Sequence, residues 1–295
     1  MCLSKVLVGV CAYNEENNIG SLLQNLILEQ DLPKNCRIVV VCSGCTDRTP
    51  RIVKEFEKRD ARIEPMIEKI RKGKTDALNK IFMIAGESAD ALVLVNADTL
   101  PKRGSITKLI SRLENSNAGA VFAQPLPLGE FDGVCYRIVR VIWRLHHIIS
   151  LLRKPKLSGE LCAIRTSCLQ KMLENVATDE PYFELAIRTR GYDILYIPEA
   201  FVYIRCPANV VDLLKHRKRI WAGHMQLQNE TGVKVPTSSF RNILQAIPAL
   251  GPTEIFYALL GGLLEMIAYL QARLSLSQGK VPYIWEPIKS AKTPI

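Results

Sequence analysis

Along the first half of the chain, short apolar runs alternate with longer stretches whose apolar positions recur at helical spacing. Residues 5–13, 37–42, 91–95 and 118–123 are rich in Val, Ile, Leu and Ala and predict buried strands. The stretches 15–29, 46–58, 72–85 and 104–115 predict helices. Strands apolar on both faces that alternate with helices imply an α/β fold, a mainly parallel, doubly wound sheet with helices on both faces. Beyond residue 131 the order changes. Helices are predicted at 134–152, 180–190 and 210–228, and strands at 161–165 and 194–204, the second around Pro198. Residues 243–276 are mostly apolar but carry Pro248, Pro252, Glu254 and Glu265. A spanning helix needs about 20 apolar residues with few charges, so this stretch predicts one or two amphipathic helices packed on the domain or lying on a bilayer. The expected organisation is a domain over residues 1–230 and a helical C-terminal tail over 231–295.

Three polar clusters end strands on what the alternation makes one edge of the sheet: "AYNEENNIG" (12–20), "CSGCTDRT" (42–49) and "NADT" (96–99). Open α/β sheets bind ligands beyond the carboxyl ends of their strands, so three such clusters describe a polar crevice suited to a nucleotide. For "NADT" alone, a turn cap explains Asp98 as well as a ligand role does. "RKGKTDALN" (71–79) opens a helix with a glycine between lysines, and its backbone N–H groups and Lys74 suit a phosphate. It lacks the spacing of a Walker loop.

Composition narrows the partners. With 295 residues, 48% of them hydrophobic, the chain has the means for a large core, and its net charge of +10 calls for an anionic partner. No RNP-like motif, zinc finger or basic heptad supports nucleic acid, which leaves phosphate or a membrane surface. Nine scattered cysteines and no basic-then-apolar leader fit a reducing cytosol. Cys42 and Cys45 form a Cys-x-x-Cys pair without a second pair at zinc spacing, and are read as packing residues. Residues 136–156 contain no acid and place Arg137, Arg140, Arg144 and His147 on one helical face. Such a helix either lies in a membrane interface or packs in the core with its arginines snorkelling outward.

Taken in order, these segments resemble the family 2 glycosyltransferases, inverting enzymes of GT-A fold that use nucleotide-diphosphate sugars. "AYNEENNIGSLL", "CSGCTDRT" and "GKTDALN" are similar to the family's donor-side segments, and "LSGELCAIR" (157–165), "TDEPYFELAIRTRGY" (178–192) and "HRKRIWAG" (216–223) to its acceptor-side and C-terminal segments. The resemblance implies that Ala12, Tyr13, Asn14, Glu15, Ser43, Asp47, Lys74, Asn96, Ala97, Asp98, Arg217 and Arg219 hold the nucleotide sugar, and that Ser158 and Gly159 lie on the acceptor side. The family's D-x-D pair is here Asn96-Ala97-Asp98, which leaves Asp98 as the metal contact for Mg²⁺ or Mn²⁺. Where the family has an acidic pair to read the base, this chain has Cys42 and Ser43, which leaves the base open; a UDP-sugar is expected first and a GDP-sugar second. The base is Glu180 by position or Asp179 by residue type; both also suit a helix cap before Pro181. The expected function is an inverting, metal-dependent transfer from a UDP- or GDP-sugar to a lipid or glycan acceptor, at the cytoplasmic face of a membrane. The rival readings are a sugar nucleotidyltransferase and a non-catalytic sugar-nucleotide or membrane-binding protein.

Overall fold

The computed structural model describes residues 3–128, 133–152, 155–173, 176–233 and 240–279, with 284, 288 and 290. Strands β1 (Val6–Ala12), β2 (Arg37–Ser43), β3 (Ile63–Glu68), β4 (Ala91–Asn96), β5 (Thr99–Pro101), β6 (Ala118–Leu128), β7 (Leu161–Arg165) and β8 (Asp193–Arg205) form one sheet in the order β3-β2-β1-β4-β7-β6-β8-β5. The β1–β2, β2–β3, β1–β4 and β6–β8 pairs are parallel. β7 runs antiparallel between β4 and β6, and β5 runs antiparallel to β8. The sheet is therefore mixed and mostly parallel. The sequence pattern does not anticipate β3 or β5, and both are edge strands.

Alternation along the strands fills both faces. Val6, Val8 and Val10 of β1 pack with Leu22 and Leu26 of α1 (Ile19–Leu28), Val53 of α2 (Thr49–Glu57) and Ile106 and Leu109 of α4 (Ser105–Glu114). Leu7, Val39 and Leu92 point the other way, toward Ile81 and Phe82 of α3 (Lys74–Ser88) and Phe183 of α6 (Glu180–Thr189). Each such side chain removed from water contributes roughly 1.5–3 kcal/mol, enough to fix the register of the central strands and hence where their ends lie. The helices begin later than the sequence predicts. Residues 15–18 and 46–48 remain loop because their polar groups bond one another across the gap between β1 and β2, as described below.

A second helical layer stands over the carboxyl end of the sheet. α5 (Val134–Leu151) buries Ile138, Val139 and Val141 and packs on β6 and on α9 (Pro252–Ser277). It is a packed helix: His147 Nδ1 lies 2.7 Å from the Tyr196 hydroxyl, and the Arg137 guanidinium stands 5.6 Å from the Tyr257 ring centre, while Arg140 and Arg144 are exposed. α7 (Val210–Thr231) crosses the same end and packs along α9, with α8 (Phe240–Ala246) beside α5. Glu265 does not interrupt the apolar stretch: α9 runs through it for 26 residues, with a mean hydropathy of 1.5 in its most apolar window, and is long and apolar enough to cross a membrane. One face of α9 is held on the domain through Gly261, Ala268 and Ala272, and the opposite face exposes Phe256, Leu259, Leu263, Met266, Leu270 and Leu274.

Gly44, just past β2, has φ +63°, and a Cβ built there would lie 2.4 Å from the backbone nitrogen of Arg71. Only glycine lets the loop after β2 close on the loop before α3. Gly44→Ala is expected to lower stability by about 1–3 kcal/mol, the cost of a strained backbone position, measured as a fall in the urea midpoint at unchanged m-value.

Candidate active site

The carboxyl ends of β1, β2 and β4 open into one cavity of about 1000 Å³, walled on the far side by α5, α7 and α9. Of the residues singled out in the sequence, Ala12, Tyr13, Glu15, Ser43, Lys74, Asn96, Ala97, Asp98, Ser158, Gly159, Glu180, Arg217 and Arg219 line it. Asn14, Asp47 and Asp179 do not. Asn14, at φ 53°, accepts a hydrogen bond from the Thr46 N–H (2.8 Å) and donates one to the Thr46 hydroxyl (3.0 Å). The Asp47 carboxylate accepts from the Glu16 N–H (3.1 Å) and the Thr49 N–H (2.9 Å). These two residues, expected to touch the nucleotide, instead lock the loops after β1 and β2 to each other. On the wall itself, the Arg71 guanidinium stacks 3.6 Å from the Tyr13 ring centre, and Ser43 Oγ is buried with no hydrogen-bond partner among the described residues. A ring face and an unsatisfied hydroxyl side by side suit a nucleoside.

At the tip of β4 the acids gather. β4 pairs antiparallel with β7, with Val95 opposite Leu161, so Asn96 faces Glu160. The Asn96 amide donates to Glu160 Oε2 at 2.8 Å. Burial first, then the charge of Asp98, push the Glu160 carboxyl up to about 7, with the Asn96 hydrogen bond opposing. Sequence reasoning missed Glu160; its only signal is an acid in "LSGELC", and its role becomes visible only once β4 and β7 pair. Glu160, just before β7, thus brings a second carboxylate to the cavity wall that Asp98 lines. Among the described residues no three acids, histidines or cysteines form a closed metal cage. Two carboxylates that repel each other in an open pocket nevertheless fit Mg²⁺ or Mn²⁺, which take one or two carboxylates and complete their shell with diphosphate oxygens and water.

Asp179 and Glu180 part company at the start of α6. Asp179 occupies the N-cap position, yet its carboxylate makes no capping hydrogen bond. It lies just behind the cavity wall, almost wholly buried, and meets the Lys74 ammonium at 3.0 Å. Burial opposes the Lys74 charge, but Asp179 and Glu180 outweigh it and hold the ammonium above the ordinary lysine range. Burial, then Glu180, push Asp179 up against the pull of Lys74. Glu180 faces the cavity; burial opposes its charge, but Lys74 and Lys156 outweigh it and bring the carboxyl below its ordinary range. A Cβ at Gly159 would lie 2.5 Å from Glu180 Oε1, so the glycine of "LSGELC" is what gives this carboxylate its place.

The basic run of α7 forms the opposite wall. The Arg217 guanidinium pairs with Glu265 of α9 at 2.5 Å, and the other oxygen of that carboxylate accepts from Trp221 Nε1 at 2.7 Å. Arg219 feels Glu180, Asp179, Asp98 and Glu160 together; burial brings its pKa down to about 10, with those acids opposing. Glu265 is the second residue that sequence reasoning did not place, since an acid in an apolar helix declares its role only when the partner helix is known.

The chain is 23% identical over 274 residues to an N-acetylglucosaminyltransferase of Rhizobium meliloti (strain 1021), a match covering 87% of this chain and 60% of that protein. It is 26% identical over 239 residues to the probable glycosyltransferase YdaM of Bacillus subtilis (strain 168), covering 75% and 55%. The chain therefore spans less than two thirds of the length of either relative. Among solved structures it resembles the mannosyltransferase PcManGT from Pyrobaculum calidifontis in complex with GDP-Man and Mn²⁺ (TM-score 0.60, 23% identity, 96% of this chain and 81% of that one). It also resembles S. aureus TarS 1–349 in complex with UDP-GlcNAc (TM-score 0.53, 16% identity, 94% and 92%). These likenesses show the GT-A fold. The model of glycosyl transferase family 2 matches residues 7–169, more than half of the chain. The strand-end acids, the Lys74 helix start and this match lead to one conclusion: the chain belongs to glycosyl transferase family 2.

Proposed function

We propose that the chain transfers a sugar from a UDP- or GDP-sugar to a hydroxyl of a lipid or glycan acceptor, inverting the anomeric carbon. The observation that carries this is the position of Glu180: an ionised carboxylate lining the same cavity as Asp98 and Glu160, while Asp179 is buried behind the wall and paired with Lys74. Geometry decides between the two candidate bases before basicity does. Glu180 takes the proton of the acceptor hydroxyl as its oxygen forms the new bond to the anomeric carbon. The bond from that carbon to the diphosphate breaks on the opposite face, and the nucleoside diphosphate leaves. Arg217 and Arg219 offset the negative charge that grows on the leaving group. Asp98 and Glu160 are the residues that would hold a divalent cation, which when bound would supply further charge neutralisation at the diphosphate. Ser43 and the Tyr13–Arg71 stack receive the nucleoside. The solved relatives named above hold GDP-Man with Mn²⁺ in one case and UDP-GlcNAc in the other, which supports a donor of this class. The apolar outer face of α9 supports a peripheral position on a membrane, and the cysteine content supports its cytoplasmic face.

Thermal shifts with UDP- and GDP-sugars test donor and metal together. With Mn²⁺ present, the right donor at ~100 times its dissociation constant stabilises by roughly 2.7 kcal/mol. Asp98→Asn is expected to abolish the part of that shift that depends on Mn²⁺ while leaving the metal-free melting curve in place. An unchanged metal effect in the folded variant removes Asp98 from the site.

The two adjacent acids separate by different readouts. Glu180→Gln is expected to lose roughly 10²- to 10⁴-fold in turnover with donor affinity kept. Asp179→Asn is expected to lower folding stability, by up to roughly 3–5 kcal/mol, because it strips a buried ammonium of its counter-charge. The reverse pattern, with stability lost at Glu180 and turnover alone at Asp179, exchanges their roles.

A further inference from the structure

The cavity has two unlike ends, and the donor accounts for only one of them. Past Glu180 and Arg217 it continues between α5, α7 and α9, where Ile142, Trp143, Leu213, Ile247, Ala258 and Met266 make its wall. At about 1000 Å³ the whole lies at the top of the ~300–1,000 Å³ range of small-molecule sites. α9 is hollowed where it passes over this branch. Ala258 and Gly262 share a helical stripe with Glu265, the residue that reaches Arg217, and a Cβ built at Gly262 meets nothing within 4 Å. Leu259 and Met266 both line the cavity and belong to the exposed apolar face of α9, so the branch opens onto that face.

Between the two ends stands a cationic collar. Lys156 lies within electrostatic reach of Arg217 and of Glu180, and burial lowers its pKa first, with Glu180 and Glu184 opposing. His216 and His224 feel both Lys156 and Arg217. Burial, reinforced by these cations, holds both imidazoles neutral, and His224 Nδ1 is buried on the cavity wall with no hydrogen-bond partner among the described residues. Arg205 Nε, on the same wall, is likewise buried without one. The Arg205 guanidinium N–H without a partner among the described residues and the buried Lys156 ammonium, beside an apolar channel, call for an anion joined to a hydrocarbon.

We infer that the branch binds the hydrocarbon chain of an anionic lipid acceptor, with its head group on the Lys156–Arg217 collar beside Glu180. This rests on the transferase reading above and narrows its acceptor from lipid or glycan to lipid. The chain enters from the apolar face of α9, and the collar stops it where its head can reach Glu180. The apolar wall of α5 thereby acquires a use that packing alone does not give it.

Dodecyl phosphate, titrated below its micelle concentration into the full chain, is the probe, with butyl phosphate as the head without the chain and dodecyl maltoside as the chain without the charge. Dodecyl phosphate is expected to bind at least tenfold more tightly than either. Gly262→Phe, which fills the branch from a position on α9 where an added Cβ meets nothing within 4 Å, is expected to weaken it roughly tenfold, as denying a chain about two buried methylenes does. Lys156→Met should weaken dodecyl phosphate and leave dodecyl maltoside unchanged. Leu270→Ser, on the outer face of α9 and away from the cavity, should change nothing. Equal binding of butyl and dodecyl phosphate, or an unaltered affinity in folded Gly262→Phe, overturns the inference. So does a loss in Leu270→Ser as large as that in Gly262→Phe, which places the chain on the outer surface. Thermal shifts with nucleotide sugar and Mn²⁺, run on the same variants, read the donor end separately: a protein that binds no donor fails as a transferase whatever the alkyl probe does, and one that binds donor but not the alkyl chain fails only here.

Discussion

A buried ion pair between Lys74 and Asp179 holds the two halves of the site in register. Lys74 opens α3 on the donor side, and Asp179 precedes α6 on the far side of the cavity. Taking two charges out of water costs several kcal/mol each, so the pair persists only because each side chain offsets the other and both helices are already fixed by packing. Its consequence is directional. With Asp179 held on Lys74, Glu180, the next residue and about 100° round the helix, is left facing the cavity, where Gly159 leaves it room. The position of Glu180 is thus a product of its neighbour's ion pair and of a missing side chain on β7's approach.

A second cross-link, Glu265 to Arg217 and Trp221, does for α9 what Lys74–Asp179 does for α6. An acid in the middle of an apolar helix is costly on a lipid-facing side, and here it is turned inward to a guanidinium and an indole N–H. The result is a helix with one face tied to the site and the other left apolar. That arrangement makes α9 part of the cavity wall, so residues beyond the family match at 169 line the cavity.

Much of this was legible in the sequence, and the omissions have physical causes. The central strands β1, β2 and β4 read clearly because both of their faces are buried and their residues are uniformly apolar. β3 and β5 did not, because edge strands are short or half-exposed and here contain Pro65 and Pro101, which count against strand in any local reading. Asp98 and Glu180 were visible as acids at element ends. The choice between Asp179 and Glu180 was not, since it depends on where Lys74 sits, about a hundred residues earlier in the chain. Asn14 and Asp47 carried the composition of ligands, but their short polar side chains are equally suited to bonding nearby backbone, and that is what they do. Glu160 and Glu265 act through partners that only strand pairing and helix packing bring near.

If the ion pair sets the direction of Glu180 as described, the acceptor oxygen attacks the sugar from the face opposite the departing diphosphate. The coupling constant of the anomeric proton in the product, measured by NMR after transfer from an α-linked nucleotide sugar, reads this directly. A β-linked product is the outcome the account predicts. An α-linked product contradicts it, because retention requires the new bond to form on the face that Glu180 does not serve.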